Sequence, residues 1–541
     1  MEFSYTSKRE WTNYAQRSVV MGRRGMTASS QHLASLAGHK ALAKGGNAVD
    51  AAVAMVCTLS VVEPQSVSIG GDAFALIYLA EEKKLIGMNA SGRAPGRASI
   101  PWFHDRGMKT MPERGILAVT VPGALHGWAQ AVERYGTLKL ADAFEDAIGH
   151  AENGFAVTEV IAGEWKSLED ILVSHGASSK IYLIEGMAPK PGQVFRNPDL
   201  ALTYRKIVQD GIDTFYEGEL CRAIVDFSNQ QKGLLSPEDF KRNLTTWVEP
   251  ISCNYRGYTI YELPPNGQGV VALEMLNILE GYDVGNLGYN SSAYSHLLLE
   301  AKKIAFADRD ASIADPEFED VPVDRFLSPA YAERCRSRIA FDKAMAPSCL
   351  SSGPEGTDTV YVAAVDQSGN AVSLISSIYM GFGSGLVVGG TGIVLQNRGT
   401  SFSLDRRHPN RLEPHKRPMH TIIPGMVFKD RDFLMTFGVM GGDMQPQGHV
   451  QFLVNLVDFK MNLQEALDAP RVRHIQGMEV LLEDGIPMRT ISELEKKGHQ
   501  VLQAPSSVNE FGGGQAVYRD HEHNVLLGAS DRRKDGCAIG Y

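Results

Sequence analysis

One short segment places a threonine directly after an aspartate, at the start of an apolar run, and this arrangement can perform amide chemistry. Thr359 follows Asp358 and begins the run 359–365 (TVYVAAV). Threonine is common at strand starts, because its β-branched side chain suits a pleated surface. At a chain N-terminus its hydroxyl can attack a carbonyl while its own α-amine, with a pKa of about 7.7, takes the proton. Cleavage before Thr359 would therefore place nucleophile and base in one residue.

The threonine hydroxyl also provides a route to that cleavage. In the uncut chain it can attack the carbonyl of Asp358, which exchanges the amide for an ester that water then opens. Backbone strain imposed by the surrounding fold favours such an exchange. The sequence thus predicts a zymogen that cuts itself between Asp358 and Thr359, with an ordinary strand start as the alternative interpretation of Thr359.

Three β-hairpins and several helices are predicted around this threonine. The hairpins, each made of two short apolar runs around a polar turn, are 359–365 with 371–379, 421–428 with 433–439, and 516–518 with 525–529. The helical patterns cover residues 29–44, 47–56, 124–134, 141–151, 200–208, 292–308 and 449–467. Hairpins with helices before and between them indicate antiparallel sheets covered by helices. The sequence has no low-complexity linker, which favours one compact unit.

Composition and charge exclude some classes of partner. The 541-residue chain has a formal charge of −10 and no long basic run, so a nucleic-acid-binding surface is not expected. The first residues lack an apolar signal core, and the longest apolar run, 51–62, is too short to span a bilayer. The six cysteines lack metal-ligand spacing and fit a reducing compartment. We therefore expect a cytoplasmic protein without a membrane partner, disulfides or structural zinc.

The sequence motifs give no indication of a cofactor or a metal. His521 and His523 stand at a polar hairpin tip without further ligands at suitable spacing, so a solvated turn is the simpler interpretation. The glycine-rich segments 381–385 and 512–514 lack the strand and helix context of a phosphate-binding loop. The sequence contains no G-x-S-x-G nucleophile elbow, which counts against an α/β-hydrolase. We predict no cofactor and no metal site.

A series of short motifs extends from about residue 29 to the end of the chain. In order, they are 45–52 (GGNAVDAA), 62–65 (VEPQ), 69–71 (IGG), 121–123 (VPG), 359–372 (TVYVAAVDQSGNAV), 381–385 (GFGSG), 392–397 (GIVLQN), 416–418 (KRP), 441–442 (GG) and 535–540 (DGCAIG). In this order and spacing they resemble the γ-glutamyltranspeptidase family of N-terminal-nucleophile hydrolases. The resemblance favours the catalytic interpretation of Thr359 over the plain strand start.

The resemblance implies a fold and a division of the chain. The fold would be α+β, an αββα four-layer sandwich in which two stacked antiparallel sheets lie between helical layers. The large fragment would be 1–358, and the small fragment, 359–541, would begin with the nucleophile. The two fragments of one precursor would then be partners in a single compact unit.

The resemblance also assigns catalytic roles by position. Thr359 corresponds to the nucleophile, and Ser377 to a second hydroxyl residue that orients it. Gly441 and Gly442 correspond to the pair whose backbone N–H groups form the oxyanion hole, where glycine lets the backbone approach the substrate closely. Without the resemblance, this glycine pair would be interpreted as a turn at the end of a strand.

The segment that holds the substrate carboxylate in the transpeptidases differs in this chain. That family places an arginine in an R-E-T-A-P-like segment, whereas residues 91–95 are SGRAP, with Ser91 at the arginine position. Arg93 lies two residues further on and could bind a carboxylate through two parallel hydrogen bonds. A structural ion pair is an equally good interpretation of Arg93.

The remaining substrate-binding positions also differ from those of the transpeptidases. Tyr379 stands in place of an asparagine, Arg398 in place of a glutamine, and Ser401 in place of the aspartate that binds the α-ammonium group. His420 and Thr421 replace a Ser-Ser pair and could donate to an anionic oxygen, with a structural histidine as the alternative. The pocket thus gains a positive charge and loses a negative one, which favours an anion without an α-amine.

These departures resemble the branch of the family that contains oxamate amidohydrolases and cephalosporin acylase-like proteins. The segment 403–416 is also shorter than the corresponding lid loop of many transpeptidases, which favours hydrolysis over acyl transfer. We therefore predict an autoprocessed N-terminal-threonine amidohydrolase that hydrolyses a small, oxamate-like anionic amide through an acyl-enzyme. The alternatives are a γ-glutamyltranspeptidase or glutathione hydrolase, a cephalosporin (glutaryl) acylase-like amidase, and a non-catalytic binding protein. A homo-oligomer is left open.

Overall fold

The computed structural model describes residues 17–346, 357–502 and 508–541. The helices of this part are α1 (His32–Ala43), α2 (Ala48–Val62), α3 (Ile100–His104), α4 (Ala124–Tyr135), α5 (Leu140–Asn153), α6 (Glu159–Ser167), α7 (Glu169–Val173), α8 (Gly176–Tyr182), α9 (Pro198–Asp210), α10 (Asp213–Tyr216), α11 (Glu219–Gln230), α12 (Pro237–Arg242), α13 (Gly269–Glu280), α14 (Val284–Leu287), α15 (Ser292–Ser312), α16 (Val323–Phe326), α17 (Pro329–Arg336), α18 (Met444–Val457), α19 (Leu463–Asp468) and α20 (Met488–Lys497). The strands are β1 (Val20–Gly22), β2 (Gly25–Ser29), β3 (Asp72–Leu79), β4 (Lys84–Ala90), β5 (Phe155–Ala156), β6 (Val194–Phe195), β7 (Thr246–Val248), β8 (Ile251–Tyr255), β9 (Tyr258–Glu262), β10 (Thr357–Asp366), β11 (Ala371–Met380), β12 (Val387–Val388), β13 (Ile393–Val394), β14 (Gly425–Lys429), β15 (Asp432–Val439), β16 (Val472–His474), β17 (Glu479–Leu482), β18 (Gln500–Leu502), β19 (Gly514–Asp520), β20 (Val525–Ser530) and β21 (Cys537–Gly540).

Two seven-stranded sheets dominate this arrangement. The nucleophile sheet has the order β21-β2-β10-β11-β3-β4-β7, and the second sheet has the order β1-β20-β19-β15-β14-β9-β8. The strand pairs that build both sheets are antiparallel. The three predicted hairpins are confirmed as β10–β11, β14–β15 and β19–β20.

One hairpin boundary was wrong in the sequence prediction. The second hairpin was expected to begin at Thr421, but β14 begins at Gly425. Pro424 has no N–H group for a ladder. The carbonyl oxygen of Thr421 accepts a hydrogen bond of 2.7 Å from the side chain of Gln268 instead of pairing with a strand. Residues 421–424 therefore run through the candidate site as irregular backbone.

The two sheets are stacked through side chains that alternate along their strands. On β10, Tyr361 and Ala363 face the second sheet, where they share a buried cluster with Met426 and Phe433. Their neighbours Val360 and Val362 belong to the cluster on the opposite face of the sheet, as the two-residue period of a strand requires. Each sheet therefore has one face that packs on its partner and one that must be covered by helices.

Helical layers cover both outer faces. The cluster on the outer face of the nucleophile sheet includes buried residues of α1, α2, α4 and α5. The outer face of the second sheet packs on α13, α15, α18 and α19. Layers of helix, sheet, sheet and helix confirm the predicted αββα sandwich.

Helix α2 is the central support of the nucleophile sheet. All fifteen of its residues are buried, and Asn47 caps its start by accepting hydrogen bonds from the N–H groups of Val49 and Asp50. The predicted end at Val56 was too early: the helix continues to Val62, and the buried hydroxyl of Ser60 is satisfied by the Cys57 carbonyl at 2.6 Å. None of the helices in the described ranges is both long and apolar enough to cross a bilayer.

Candidate active site

The candidate nucleophile lies at a bulge near the start of a central strand. Asp358 pairs with Tyr379 and Val360 pairs with Ser376, so that two residues of β11 face Thr359 alone. A bulge of this kind redirects a side chain out of the regular ladder. The Thr359 hydroxyl donates a hydrogen bond of 3.1 Å to the hydroxyl of Ser377. The structure thus brings the predicted nucleophile and its predicted orienting residue together.

Backbone geometry at Tyr379 holds Ser377 in place. Tyr379 has a φ of 80°, a left-handed conformation that is unfavourable for a bulky residue. In this conformation its N–H group donates to the Ser377 hydroxyl at 2.8 Å. The strain is therefore located directly opposite the Asp358–Thr359 bond, where a self-cleaving chain needs it.

Gly441 and Gly442 form the turn between β15 and α18. Their φ angles are 112° and 57°, and a Cβ added to Gly441 would lie 3.1 Å from the Cα of Gly512. Neither N–H group donates to a residue of the described ranges. The backbone of Gly438 packs against the ring of Tyr361, which brings the end of β15 towards the start of β10. Two N–H groups that donate to no residue of the described ranges, in a turn near the start of β10, suit an oxyanion hole.

Arg398 is the dominant electrostatic feature of the site. Its side chain is fully buried, and Nη1 donates to the Thr421 hydroxyl at 2.9 Å while Nη2 lies 3.5 Å from the Ser377 hydroxyl. The guanidinium carbon lies 3.9 Å from the ring centre of Tyr379. Within the described ranges, no carboxylate forms an ion pair with it, the charge of Asp72 acts on it only from a longer distance, and Nε has no hydrogen-bond partner.

Arg398 remains charged despite its burial. Loss of solvent lowers its pKa to about 10, so it is still a cation at neutral pH. A buried charge without a counter-ion is costly, and proteins keep such groups where a ligand supplies the missing charge. Arg398 thus places a buried positive charge next to the hydroxyl pair of Thr359 and Ser377, where it suits an anionic ligand.

His420 does not point a free donor towards such a ligand. Its Nε2 lies 3.0 Å from a carboxylate oxygen of Asp72, and its Nδ1 accepts from the N–H group of Ile422 at 3.5 Å. Burial and the charge of Arg398 lower its pKa to about 4, against a weaker opposing effect of Asp72. Because both ring nitrogens are engaged in a neutral imidazole, the geometry favours the structural interpretation of His420 over direct substrate contact.

The low pKa of His420 makes the stability of the fold sensitive to acid. As the pH falls below the ordinary value of 6.5, the unfolded chain takes up a proton that the folded chain refuses until about pH 4. Stability is therefore lost in this window, by about 2 kcal/mol between pH 7 and pH 5. Replacing His420 by glutamine is expected to remove that part of the pH dependence, measured by urea unfolding at both pH values.

Phe74→Leu provides the control for this prediction. The ring of Phe74 lies 4.9 Å from that of His420, so its loss disturbs the same packing without removing a titrating group. The Phe74 variant should be less stable at both pH values, but the change in its free energy of unfolding between pH 7 and pH 5 should equal that of the wild type. The same pH dependence of the free energy of unfolding in the His420 variant and the wild type would contradict the low pKa of His420.

Arg93 lies in an ion-pair network beside the site. Its Nη2 donates to Glu317 at 2.6 Å, Nη1 donates to the carbonyl of His415 at 3.0 Å, and Asp315 lies 3.7 Å away. Two carboxylates already balance its charge, so the structure favours the structural interpretation over a substrate clamp. Ser91, at the position of the transpeptidase arginine, donates to the side chain of Asn89 at 2.7 Å.

Asp72 is a site residue that the sequence reasoning missed. It is fully buried at the start of β3, in register with Ser377, and it accepts from Gly92 N at 2.8 Å and from the side chain of Gln396 at 3.0 Å. Together with its contact to His420, these bonds hold three segments of the site in one arrangement. The signal in the sequence was an acidic residue directly after Gly70–Gly71, at the start of an apolar strand.

A cavity of about 340 Å³ lies on the Ser401 side of Tyr379. Ser401 and Phe402 line one side of it, and Met419 and Arg309 contribute to the rest. Ser401 also lies beside the hydroxyl of Tyr379. Ser401 therefore connects this cavity to Tyr379, whose ring stacks on Arg398.

One group of side chains elsewhere has the composition of a metal site. Ligand atoms of His296, Glu300 and His499 lie within 4.8 Å of one another. Both carboxylate oxygens of Glu300 are already used, by the ammonium group of Lys303 at 2.8 Å and the N–H group of Met345 at 2.8 Å. The lysine balances the charge that a cation would need, so the group is a buried polar cluster by its chemistry.

The sequence of the chain matches a known family over most of its length. The family model described as Gamma-glutamyltranspeptidase matches residues 34–541. The chain is 38% identical over 529 residues to the Glutathione hydrolase-like YwrD proenzyme of Bacillus subtilis (strain 168), which covers 96% of this chain and 99% of that protein. It is 35% identical over 528 residues to the Oxamate amidohydrolase proenzyme of Klebsiella pneumoniae subsp. pneumoniae, which covers 96% of this chain and 98% of that protein.

The fold also matches a solved structure over its whole length. Superposition on the cephalosporin acylase from Bacillus halodurans gives a TM-score of 0.92 at 41% identity, covering 100% of this chain and 99% of that one. These matches confirm the resemblance carried by the sequence motifs. The chain belongs to the γ-glutamyltranspeptidase family of N-terminal-nucleophile hydrolases, enzymes that act on amide bonds.

Proposed function

We propose that the chain cuts itself between Asp358 and Thr359 and then hydrolyses a small anionic amide, with Thr359 as nucleophile and an oxamate-like compound as substrate. The observation that carries this proposal is the buried cation of Arg398, which has no carboxylate partner in the described ranges and lies one hydroxyl away from Thr359. The Klebsiella relative is named an oxamate amidohydrolase, and the Bacillus relative is named a glutathione hydrolase-like proenzyme.

The arrangement supports an acyl-enzyme mechanism. The Thr359 oxygen attacks the amide carbonyl, and the α-amine of the same residue takes the hydroxyl proton. The carbonyl oxygen becomes an anion that the N–H groups of Gly441 and Gly442 can stabilise. The C–N bond then breaks, the amine leaves with the proton from the α-ammonium group, and an ester on Thr359 remains. Water, deprotonated by the same α-amine, hydrolyses this ester and restores the enzyme.

Distances favour a short acyl group. Only the Ser377 hydroxyl separates the Thr359 oxygen from Arg398, through contacts of 3.1 and 3.5 Å. A substrate carboxylate that pairs with Arg398 at about 2.8 Å must therefore sit close to the carbonyl under attack. Oxamate carries its carboxylate directly on that carbonyl. The α-carboxylate of a γ-glutamyl group, or the distal carboxylate of a glutaryl group, lies several bonds further away.

Charge argues against an α-amine on the substrate. Ser401 stands where the transpeptidases have an acidic partner for the ammonium group, and it lies beside Tyr379, whose ring stacks on the cation Arg398. An ammonium group brought to this position would meet a like charge in a buried site. We therefore expect γ-glutamyl compounds to bind poorly.

Self-cleavage is supported by the strand that carries Thr359. The bulge and the left-handed Tyr379 place strain opposite the bond to be cut, and the related proteins are named proenzymes. After cleavage, β10 and β11 would still lie between β2 and β3 in one sheet. The two fragments are thus expected to remain a single body.

The substrate proposal is tested with a pair of amides of similar shape that differ chiefly in charge. Oxamate and pyruvamide have nearly the same size, but pyruvamide replaces the carboxylate by an acetyl group. We expect kcat/KM for oxamate to exceed that for pyruvamide by about 100-fold, because a charge-assisted contact to a buried guanidinium contributes about 3 kcal/mol. Ammonia release measures both rates. Equal rates would contradict the anion site.

A bulkier amide is the second candidate, and the cavity beside the site favours it. The space of about 340 Å³ next to Tyr379 can hold a group far larger than the amide nitrogen of oxamate. The structurally similar Bacillus halodurans protein is named a cephalosporin acylase. Faster release of a chromogenic amine from a glutaryl anilide than of ammonia from oxamate would favour this candidate. Acceleration of γ-glutamyl anilide cleavage by a dipeptide would favour transpeptidation instead.

A further inference from the structure

A glutamine outside the predicted site connects the two halves of the catalytic machinery. Gln268 is fully buried immediately before α13. Its side-chain NH2 group donates to the carbonyl of Thr421 at 2.7 Å and to the carbonyl of Gly442 at 3.0 Å. Its backbone N–H group donates to the carbonyl of His420 at 3.0 Å. One residue thus contacts the anion pocket and the oxyanion turn simultaneously.

The orientation of this amide is fixed by charge. Nη1 of Arg309 donates to the side-chain oxygen of Gln268 at 2.9 Å, which leaves the NH2 group facing the two carbonyls. Arg309 is held in turn by Asp443 at 2.6 Å and by Asp310 at 2.8 Å. A flipped amide would place its NH2 group against a guanidinium and its oxygen against two carbonyls. The hydrogen bonds therefore allow a single arrangement.

The contact to Gly442 bears directly on the oxyanion turn. The carbonyls of Gly441 and Gly442 accept from the N–H groups of Met444 and Gln445 at 2.9 and 3.1 Å. In a trans peptide a carbonyl points away from the N–H group of the following residue, so the bond to the Gly441 carbonyl sets the direction of the Gly442 N–H group. The bonds to the Gly442 carbonyl anchor the next peptide, and with it the end of the turn. Glycine pairs rotate easily, and a second bond to the Gly442 carbonyl opposes that rotation.

We propose that Gln268 is a positioning residue of the hydrolytic reaction, which fixes the Gly441–Gly442 turn relative to Thr421 and the anion pocket. The inference rests on the proposed function, because it takes Gly441–Gly442 as the oxyanion hole of Thr359. Oxyanion donors accelerate a reaction only when they are already in position as the charge develops. Loss of the Gln268 hydrogen bonds is therefore expected to lower kcat more than it weakens substrate binding.

The test replaces Gln268 by methionine, which has a similar volume and no hydrogen-bonding amide. We expect kcat to fall by about 10- to 100-fold, somewhat less than the loss of one oxyanion donor, while KM changes by about threefold or less. Gln451→Met is the matched control, because Gln451 is a buried glutamine that donates to the carbonyls of Gln447 and Val472 away from the site. The control should lose stability without a specific loss of kcat.

A second variant, Gln268→Glu, adds a signature that a structural role would not produce. The carboxylate faces two carbonyls when ionised, but the carboxylic acid can donate to one of them. The kcat of Gln268→Glu, relative to that of the wild type, is therefore expected to rise as the pH falls. An unchanged kcat in both variants, or equal losses of kcat in Gln268→Met and Gln451→Met, would overturn the inference. All rates are measured on whichever amide the wild type hydrolyses, oxamate or a γ-glutamyl anilide. A failure of the substrate proposal can therefore be distinguished from a failure of the inference about Gln268.

Discussion

Replacing Thr359 by alanine is expected to leave the chain as one uncut polypeptide without amidase activity. The variant lacks the hydroxyl that attacks the Asp358 carbonyl, and without cleavage it also lacks the α-amine that serves as base. Both losses fall on the same step, so we expect kcat to fall by about 10⁴-fold or more. Denaturing electrophoresis measures the cleavage, and amine release measures the rate.

Two further variants separate chemistry from folding in this experiment. Thr359→Ser keeps the hydroxyl and the α-amine and is expected to cut itself and turn over at a reduced rate. Thr203→Ala removes another buried threonine, whose hydroxyl donates to the carbonyl of Thr391 at 2.8 Å in the helical layer, and should leave both activities in place. An alanine variant at 359 that still cuts and hydrolyses would contradict the role of Thr359.

Replacing Arg398 by methionine is expected to impair activity and to increase stability. Without the guanidinium, KM for an anionic amide should rise by about 100-fold, whereas kcat/KM for pyruvamide should hardly change. Burial lowers the pKa of Arg398 to about 10, so at neutral pH the folded chain holds an unfavourable charge. Its removal is expected to raise the free energy of unfolding by about 1 to 3 kcal/mol. Such opposite effects are typical of a residue kept for function.

Arg533→Met is the matched control for this opposite behaviour. Arg533 is equally buried, but it forms ion pairs with Glu483 at 2.5 Å and with Asp531 at 2.9 Å. Its loss removes one cation from each of these carboxylates, which keep Arg471 and Arg532 as partners, and is expected to cost about 3 kcal/mol of stability. Destabilisation of the Arg398 variant to the same degree, with unchanged KM, would show that Arg398 is structural.

Local sequence signals predicted the strand of Thr359 and the presence of the three hairpins, although the second begins at Gly425 and not at Thr421. Alternation of apolar residues on 359–365 fixes which side chains face the helices, and the polar turn after Asp366 fixes the partner strand. The order of the family motifs predicted the layers of the sandwich. These features depend on neighbours in the sequence or on a pattern spread over the whole chain, and both are visible without coordinates.

Contacts between distant segments were not predictable in the same way. Arg93 has a residue type suited to a carboxylate clamp, but Glu317 reaches it from more than two hundred residues away. His420 is engaged by Asp72, from a strand near the other end of the chain. Gln268 gives no signal of its own, because its importance comes from the two carbonyls that converge on it. Residue types indicate what a side chain can do, and only the fold determines which partner satisfies it.

The most direct test of Thr359 as the nucleophile is a mass spectrum of the enzyme, denatured by acid during turnover of oxamate. We expect a cut chain, with one oxalyl group added to the fragment that begins at Thr359 and none on the fragment that ends at Asp358. Treatment with mild base should remove the added group, as expected for an ester on a threonine hydroxyl. An intact chain that releases ammonia, or an oxalyl group on the fragment 1–358, would contradict Thr359 as the nucleophile.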